Sequence, residues 1–200
     1  MGNELHETDE NTGTMEVLER HQFDVSKLQD FMYENVDGFE GDIKLEEFKG
    51  GQSNPTYKVI TPNQSYVLRR KPPGKLLKSA HAVDREYKVI TGLNKTDVPV
   101  PKSYALCEDD DVIGTAFYLM EFKDGRVLWD AAMESSDKEE ASGVYESMND
   151  SMAKLHLVKP SEIGLEDFGK PGNYVGRQVS RWSKQYICLL YTSPSPRDSV

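Results

Sequence analysis

The segment IKLEEFKGGQSNPTYKVITPNQSYVLRRK, residues 43–71, decides the fold. The segment contains three stretches rich in apolar residues, many of them β-branched or aromatic. Breaks rich in Gly, Pro and Asn, near 50–55 and 62–64, separate these stretches. Such runs are typical of strands, whose side chains alternate between the two faces of a sheet. The segment therefore predicts a three-stranded antiparallel meander with a glycine-containing first turn.

The residues that follow extend this sheet. Residues 79–93 have helical spacing, with Val83, Tyr87 and Ile90 on one face. Two further strands are predicted near 103–107 and 116–122, joined by an acidic turn at residues 109–111. The pattern predicts an α+β lobe of five antiparallel strands with one inserted helix.

Both flanks of this lobe differ from it in composition. We predict a flexible tail at residues 1–22, then a helix capped by Asp24 or Ser26. The lobe itself is assigned to residues 23–123, and Lys123-Asp124-Gly125 is interpreted as a linker. Helical spacing over 137–157 and 175–186 predicts the beginning of a helical lobe at 124–186.

The chain ends in a segment that breaks the helical pattern. From Ile187 or Cys188 onward periodicity is lost, and Pro194 and Pro196 follow. We interpret residues 187–200 as a non-native tail and exclude them from the fold prediction. A genuine Ser/Pro-rich terminus is the alternative.

Composition limits the classes of function. The 200 residues are 37% hydrophobic and 29% charged, which suits a folded domain. A net charge of −10 argues against non-specific binding of nucleic acid or anionic membrane, and no apolar run is long enough to span a bilayer. With only Cys107 and Cys188 and no visible signal peptide, we expect an intracellular, by default cytoplasmic, protein.

Three polar features occur where a nucleotide phosphate could bind. Adjacent glycines at Gly50 and Gly51 let backbone amides approach a polyanion closely. Arg69 ends an apolar strand, and Glu86 on the 79–93 helix can pair with it and orient it. Each feature also has a plainer interpretation: a hairpin turn, a solvated basic edge and a surface glutamate.

A fourth feature is the apolar strand Phe117 to Phe122, which runs into Lys123-Asp124-Gly125. The backbone at the end of such a strand can bind the edge of a purine while apolar neighbours enclose the ring. A buried strand followed by a turn is the plainer interpretation.

Together, GGQSNPTY (50–57), VLRRKPPG (67–74) and SAHAVDREY (79–87) resemble the aminoglycoside phosphotransferase/choline kinase-like family. The nearest branch is the phosphotransferase domain that occurs alone in bacteria and fused to acyl-CoA dehydrogenases in eukaryotes. The resemblance implies a protein-kinase-like fold with ATP bound between two lobes. It also implies a small-molecule hydroxyl acceptor, with hydroxyacyl-CoA-like molecules as candidates, and peroxisome or mitochondrion as alternative locations.

The resemblance also implies a role for individual residues. Arg69 becomes the phosphate-contacting cation and Glu86 its helix partner, while His156 is expected to be structural. The complete set is a phosphate loop of Gly50, Gly51, Gln52, Ser53 and Asn54, the pair Arg69 and Glu86, a gatekeeper Met120, and a hinge of Glu121, Phe122 and Lys123.

The catalytic half of the family pattern is missing from this sequence. Phosphoryl transfer needs an acid that orients the acceptor hydroxyl and oxygen ligands for Mg²⁺. The family's His-Gly-Asp loop does not occur, because none of the four histidines precedes Gly-Asp. We therefore interpret the chain as the N-terminal part of an ATP-dependent phosphotransferase, with no catalytic or metal-binding residue of its own and the Mg²⁺ ligands expected downstream. The alternative functions are a non-catalytic nucleotide-binding or interaction module and an acidic globular protein without a nucleotide site; the coding sequence after Tyr186 distinguishes the first from the enzyme.

Overall fold

The computed structural model describes residues 12–49, 54–74, 81–128, 130, 132–133, 136–170 and 172–192. The chain divides into two compact units, residues 1–159 and 160–200, which we describe separately. The first contains β1 (Thr14–Met15), α1 (Val25–Asn35), β2 (Lys44–Phe48), β3 (Thr56–Ile60), β4 (Ser65–Arg70), α2 (Val83–Leu93), β5 (Ser103–Cys107), α3 (Asp110–Ile113), β6 (Phe117–Glu121) and α4 (Lys138–Leu157), and the second contains α5 (Tyr174–Thr192).

The strands form one antiparallel sheet in the order β1-β2-β3-β4-β6-β5. In this order β6 lies between β4 and β5, so the last strand along the chain becomes an interior strand of the sheet. Arg69 is opposite Thr56 on one side and opposite Tyr118 on the other. Val67 is opposite Met120. The register therefore brings the predicted cation and the predicted gatekeeper onto neighbouring strands of the same sheet.

One face of the sheet forms the main core with α1. Leu28 and Met32 of α1 are fully buried, and they belong to the same apolar cluster as Tyr57 and Leu68 of the sheet. Phe31 meets Phe117 edge to face, with ring centroids 5.1 Å apart. The strand alternation around 57–68 thus supplies the apolar face that the sequence predicts.

The opposite face of the sheet carries α2. Val83 of α2 is buried with Ala116 and Tyr118, and Tyr87 and Ile90 pack against them. Because successive residues of β6 point to opposite faces, Leu119 lies in the α1 core while Tyr118 lies against α2. This face is the one that carries Arg69 and Glu86.

The sheet has six strands rather than the five predicted, because Thr14–Met15 pairs with Phe48 and Glu47. The prediction of a flexible tail is accordingly wrong for residues 12–22, and residues 1–11 lie outside the described residues. The Glu47 carboxylate, which is buried, accepts a hydrogen bond from the Leu18 amide (3.0 Å) and contacts His21 Nδ1 (2.7 Å). These contacts join distant parts of the chain, so local composition did not reveal them.

Several helices also differ from expectation. Helices α1 and α2 correspond to the helices predicted after Asp24 and within 79–93, whereas the short α3 was not predicted. Residues 109–111 were expected as a turn, but Asp109 caps α3 by accepting from the Asp111 amide (2.9 Å). Helix α2 begins at Val83 instead of Ser79, and residues 79–80 lie outside the described part of the chain. Helix α5 continues to Thr192, past the point where the helical pattern was expected to fail.

Helices α4 and α5 expose much of their apolar surface. Asp137 caps α4 by accepting from the Glu140 amide (2.8 Å), yet no residue of α4 is buried. In the second unit, Val179, Trp182 and Tyr186 of α5 are exposed. Among the described residues, no helix has the length and apolarity needed to cross a membrane.

Candidate nucleotide-binding site

The centre of the site is the ion pair between Arg69 of β4 and Glu86 of α2. Arg69 Nε donates to Glu86 Oε2 at 2.7 Å, and both side chains are about two-thirds buried, at 31% and 37% exposure. Arg69 Nη1 donates to Thr56 Oγ1 at 3.3 Å. Within the described residues Nη2 makes no hydrogen bond, so the guanidinium is held on one side and keeps a donor on the other.

Tyr118 of β6 is a third member of the site. Its hydroxyl donates to Glu86 Oε2 at 3.1 Å, the same oxygen that accepts from Arg69. Burial, together with the charge of Glu86, raises the pKa of Tyr118 well above its usual range, so the hydroxyl stays protonated and remains a donor. Sequence reasoning missed this residue, although strand alternation places it on the same face as the predicted gatekeeper Met120.

Asn54 is the one residue of the predicted phosphate loop that lies within the described residues. It is 3% exposed, and its side chain contacts Glu86 Oε1 (Nδ2, 3.4 Å) and His81 Nδ1 (Oδ1, 2.6 Å). The structure thus brings Asn54, Arg69 and Glu86 together, and of these contacts the sequence predicted the pairing of Arg69 with Glu86. The other predicted loop residues, Gly50, Gly51, Gln52 and Ser53, lie outside the described part of the chain.

The predicted gatekeeper and hinge lie at the end of β6. Met120 is partly buried and packs against the α2 cluster. The Phe122 ring stacks on Phe48, with centroids 6.4 Å apart, and Lys58 Nζ lies 4.1 Å from its centroid. The Phe122 ring is thus held by an aromatic and a cationic contact at this edge of the sheet.

Two hinge side chains pair with each other. The Lys123 ammonium donates to Glu121 Oε1 at 2.6 Å, and the Lys102 amide donates to Glu121 Oε2 at 3.1 Å. The Lys123 hydrogen bond, reinforced by that of the Lys102 amide, lowers the pKa of Glu121. Glu121 is therefore ionised at neutral pH, and its carboxylate is occupied by contacts within the lobe.

The arrangement fits an anionic ligand better than a metal ion. Arg69 presents a positioned donor, and a guanidinium binds phosphate oxygens through several N–H groups. In contrast, no group of three or more His, Cys, Asp or Glu side chains in the described ranges could hold a metal ion. His156, at the end of α4, is exposed. Among the described residues it belongs neither to the Arg69 site nor to a metal-binding group.

The family model described as "APH: Phosphotransferase enzyme family" matches residues 44–193. The chain belongs to the phosphotransferase enzyme family. The match covers the sheet from β2 onward together with α2, α3, α4 and α5, and α1 lies before it. It confirms the family resemblance and the kinase-like α+β fold that the sequence predicts.

Longer proteins contain similar sequences. The chain is 46% identical over 175 residues to the probable acyl-CoA dehydrogenase IBR3 of Arabidopsis thaliana, covering 84% of this chain and 21% of that protein. It is 39% identical over 198 residues to acyl-CoA dehydrogenase family member 11 of Rattus norvegicus, covering 97% of this chain and 25% of that one. The chain thus spans between a fifth and a quarter of these relatives.

A solved structure is also similar. It is the crystal structure of a Ralstonia eutropha JMP134 protein described as a candidate aminoglycoside phosphotransferase, at 49% identity and a TM-score of 0.73. The similarity covers 88% of this chain and 50% of that one. The fold of this phosphotransferase-family chain is therefore established by both sequence and structure, while the roles of its individual site residues stay predictions.

Proposed function

We propose that the chain is the nucleotide-binding part of an ATP-dependent phosphotransferase that acts on a small-molecule hydroxyl group. The Arg69–Glu86 ion pair supports this proposal most strongly. It lies on the α2 face of the sheet, next to Asn54 at the end of the predicted phosphate loop and one strand away from Tyr118 of β6.

In this proposal Arg69 binds phosphate oxygens of ATP. Its Nε and Nη1 atoms are fixed by Glu86 and Thr56, so the direction of the remaining donor is set before ATP binds. Such preorganisation reduces the entropy cost of binding. A guanidinium also presents several N–H groups in one plane, which suits the oxygens of a phosphate.

The catalytic acid and the magnesium ligands are proposed to come from sequence downstream of the chain. When bound, Mg²⁺ would neutralise charge on the transferring phosphate. The residues of this chain bind the nucleotide in this proposal. Arg69 holds phosphate, and Glu86 and Tyr118 hold Arg69. The end of β6, with Phe122, lies against the adenine base.

The acceptor proposed is a hydroxyacyl-CoA-like molecule. The support is that the relatives named above are acyl-CoA dehydrogenase family members, in which a matching region of this length occupies a fraction of the protein. The same observation supports a proposed fusion to a dehydrogenase domain. Peroxisomal or mitochondrial location would accompany that fusion, and a cytoplasmic location would accompany a stand-alone protein.

A non-catalytic nucleotide-binding module is the second candidate function. It is favoured by one observation: neither a His-Gly-Asp sequence nor, among the residues described, a metal-binding cluster is present. The two candidates differ in turnover. Transfer of phosphate from ATP to an acceptor hydroxyl by the 200-residue chain alone would contradict our assignment of the catalytic groups to downstream sequence.

Replacement of Arg69 tests the proposed function. In the longer native protein, Arg69→Ala should weaken ATP binding about 10- to 150-fold, because charge-assisted hydrogen bonds to phosphate contribute roughly 1.5–3 kcal/mol. Glu86→Gln should have a smaller effect in the same direction. Lys88→Ala removes the same charge from an exposed position of α2 and serves as the control. Equal ATP affinity in Arg69→Ala and Lys88→Ala, measured by calorimetry, would overturn the assignment.

A further inference from the structure

We propose that His81 is a positioning residue for the phosphate-binding group: its Nδ1–H orients the Asn54 amide, and Asn54 in turn helps to hold Glu86 and Arg69. This inference rests on the proposed function for its effect on ATP. The hydrogen-bonding role itself is independent of any nucleotide. Nothing in the sequence pattern pointed to His81, which lies 27 residues from Asn54.

The hydrogen-bond network determines which way the Asn54 amide faces. As the ion-pair partner of Arg69, the Glu86 carboxylate accepts hydrogen bonds, so the Asn54 atom next to Glu86 Oε1 has to be the donor Nδ2. The carbonyl oxygen Oδ1 then faces His81, at 2.6 Å from Nδ1. Because Oδ1 accepts, His81 Nδ1 carries the proton.

Asn54 belongs to a closed ring of four residues. Arg69 Nε donates to Glu86, and Arg69 Nη1 donates to Thr56 Oγ1. Thr56 Oγ1 in turn donates to the Asn54 backbone carbonyl at 3.0 Å, and Asn54 Nδ2 returns to Glu86. Asn54 is 3% exposed, so water cannot readily replace a lost partner. An Asn54 amide in the reverse orientation would place Oδ1 against the Glu86 carboxylate and open the ring.

The backbone of His81 connects this ring to the start of α2. His81 has a φ of +57°, in the left-handed region, where Asn, Asp and His are the non-glycine residues most often found. Its carbonyl accepts from the Val83 amide at 2.9 Å, directly at the first residue of α2. His81 therefore links Asn54, which lies just before β3, to the helix that carries Glu86.

Two variants of nearly equal shape test whether a hydrogen-bond donor is needed at position 81. His81→Asn keeps an N–H donor for Asn54 Oδ1, whereas His81→Asp offers acceptor oxygens alone, and both residues tolerate the left-handed backbone. In the longer native protein, His81→Asn should bind ATP within about 3-fold of the wild type, and His81→Asp should bind about 10-fold more weakly. Adenosine, which has no phosphate, should bind both variants equally. Equal ATP affinity in the two variants would overturn the proposal.

A nucleotide-free measurement separates this proposal from the proposed function. The ¹⁵N resonances of the wild-type His81 ring should show a proton on Nδ1, and the Asn54 side-chain amide resonance should be retained in His81→Asn and displaced in His81→Asp. A neutral ring protonated at Nε2 alone would contradict the proposal, even if neither variant can be folded. If the wild-type protein binds no ATP, the proposed function fails, and these resonances alone decide whether His81 orients Asn54.

Discussion

The sheet with α1 and the helix α4 belong to the same compact unit, yet they are stabilised in different ways. In the sheet region Leu28, Leu68 and Leu119 are fully buried and belong to one apolar cluster. In α4 no residue is buried, and Leu157 is 80% exposed. The first region is held by packing between distant segments, whereas the second owes its helical form to local features such as its Asp137 cap.

This difference indicates which region contributes most of the free energy of folding. Burial of apolar side chains is the dominant favourable contribution, so the sheet and α1 supply most of the stability. Met148, Met152 and Leu155 of α4 recur at helical spacing and are exposed. We expect downstream parts of the helical lobe to cover this stripe in the proposed enzyme. The 200-residue chain by itself should therefore be prone to association through α4.

The sheet region and α4 should differ most in the free energy of unfolding that is lost when a leucine is replaced by alanine. Leu28→Ala should lower the free energy of unfolding by about 3–5 kcal/mol, because it leaves a cavity in a closed core. Leu157→Ala should change it by less than about 0.5 kcal/mol, since that side chain is already in water. Urea denaturation of both variants measures the comparison, and similar losses would show that α4 packs as tightly as α1.

The sheet region should also be sensitive to alkaline pH. Burial raises the pKa of Tyr57 to about 12, with the nearby Arg70 cation acting in the opposite direction. The folded pKa lies above the unfolded value near 10, so this stabilising contribution is complete below pH 10 and is lost as the pH rises towards 12. The loss should be roughly 2–3 kcal/mol, to which Tyr118 adds in the same direction.

The variant Tyr57→Phe measures how much of the stability lost at alkaline pH is due to Tyr57. The variant loses a hydrogen bond from the hydroxyl to the His21 carbonyl (2.9 Å), so it should be less stable at neutral pH. Its stability should fall less steeply than that of the wild type between pH 10 and 12. Tyr174→Phe, at an exposed position of α5, is the control. Parallel stability curves for wild type and Tyr57→Phe would contradict the predicted burial effect.

The smallest effect concerns the helix caps. Asp137→Ala removes the α4 cap and should cost about 1 kcal/mol locally, seen as faster amide hydrogen exchange in the first turn of α4. Asp24→Ala removes the corresponding cap of α1, whose side chain accepts from the Ser26 amide at 3.0 Å. Because α1 is packed into the core, that loss should appear in global unfolding. A global loss from Asp137→Ala would mean that α4 unfolds together with the sheet.

The sequence predicted most of what depends on local periodicity. Alternation in 43–71 located β2, β3 and β4, and helical spacing located α2 and α4 within a few residues. It also suggested that Glu86 can pair with Arg69, a contact that the structure contains at 2.7 Å. The strands and helices could be located because a strand or helix face can be derived from neighbouring residues alone.

Apart from the Arg69–Glu86 pair, contacts between distant segments were the part that could not be predicted. The Glu47–His21 pair and the Tyr118–Glu86 hydrogen bond join residues 26 and 32 positions apart. Each depends on the strand order and on the packing of a helix against the sheet, which single-segment patterns do not specify. The strand Thr14–Met15 was missed for the same reason, since two residues carry no periodicity.

The central claim is that Arg69 binds the phosphates of a nucleotide. Calorimetric titration of the proposed full-length enzyme with ATP and with adenosine tests it directly, because only ATP carries phosphate. We predict that the wild type binds ATP more tightly than adenosine and that Arg69→Ala removes most of this preference while leaving adenosine affinity unchanged. An unchanged preference for ATP in Arg69→Ala would contradict the account.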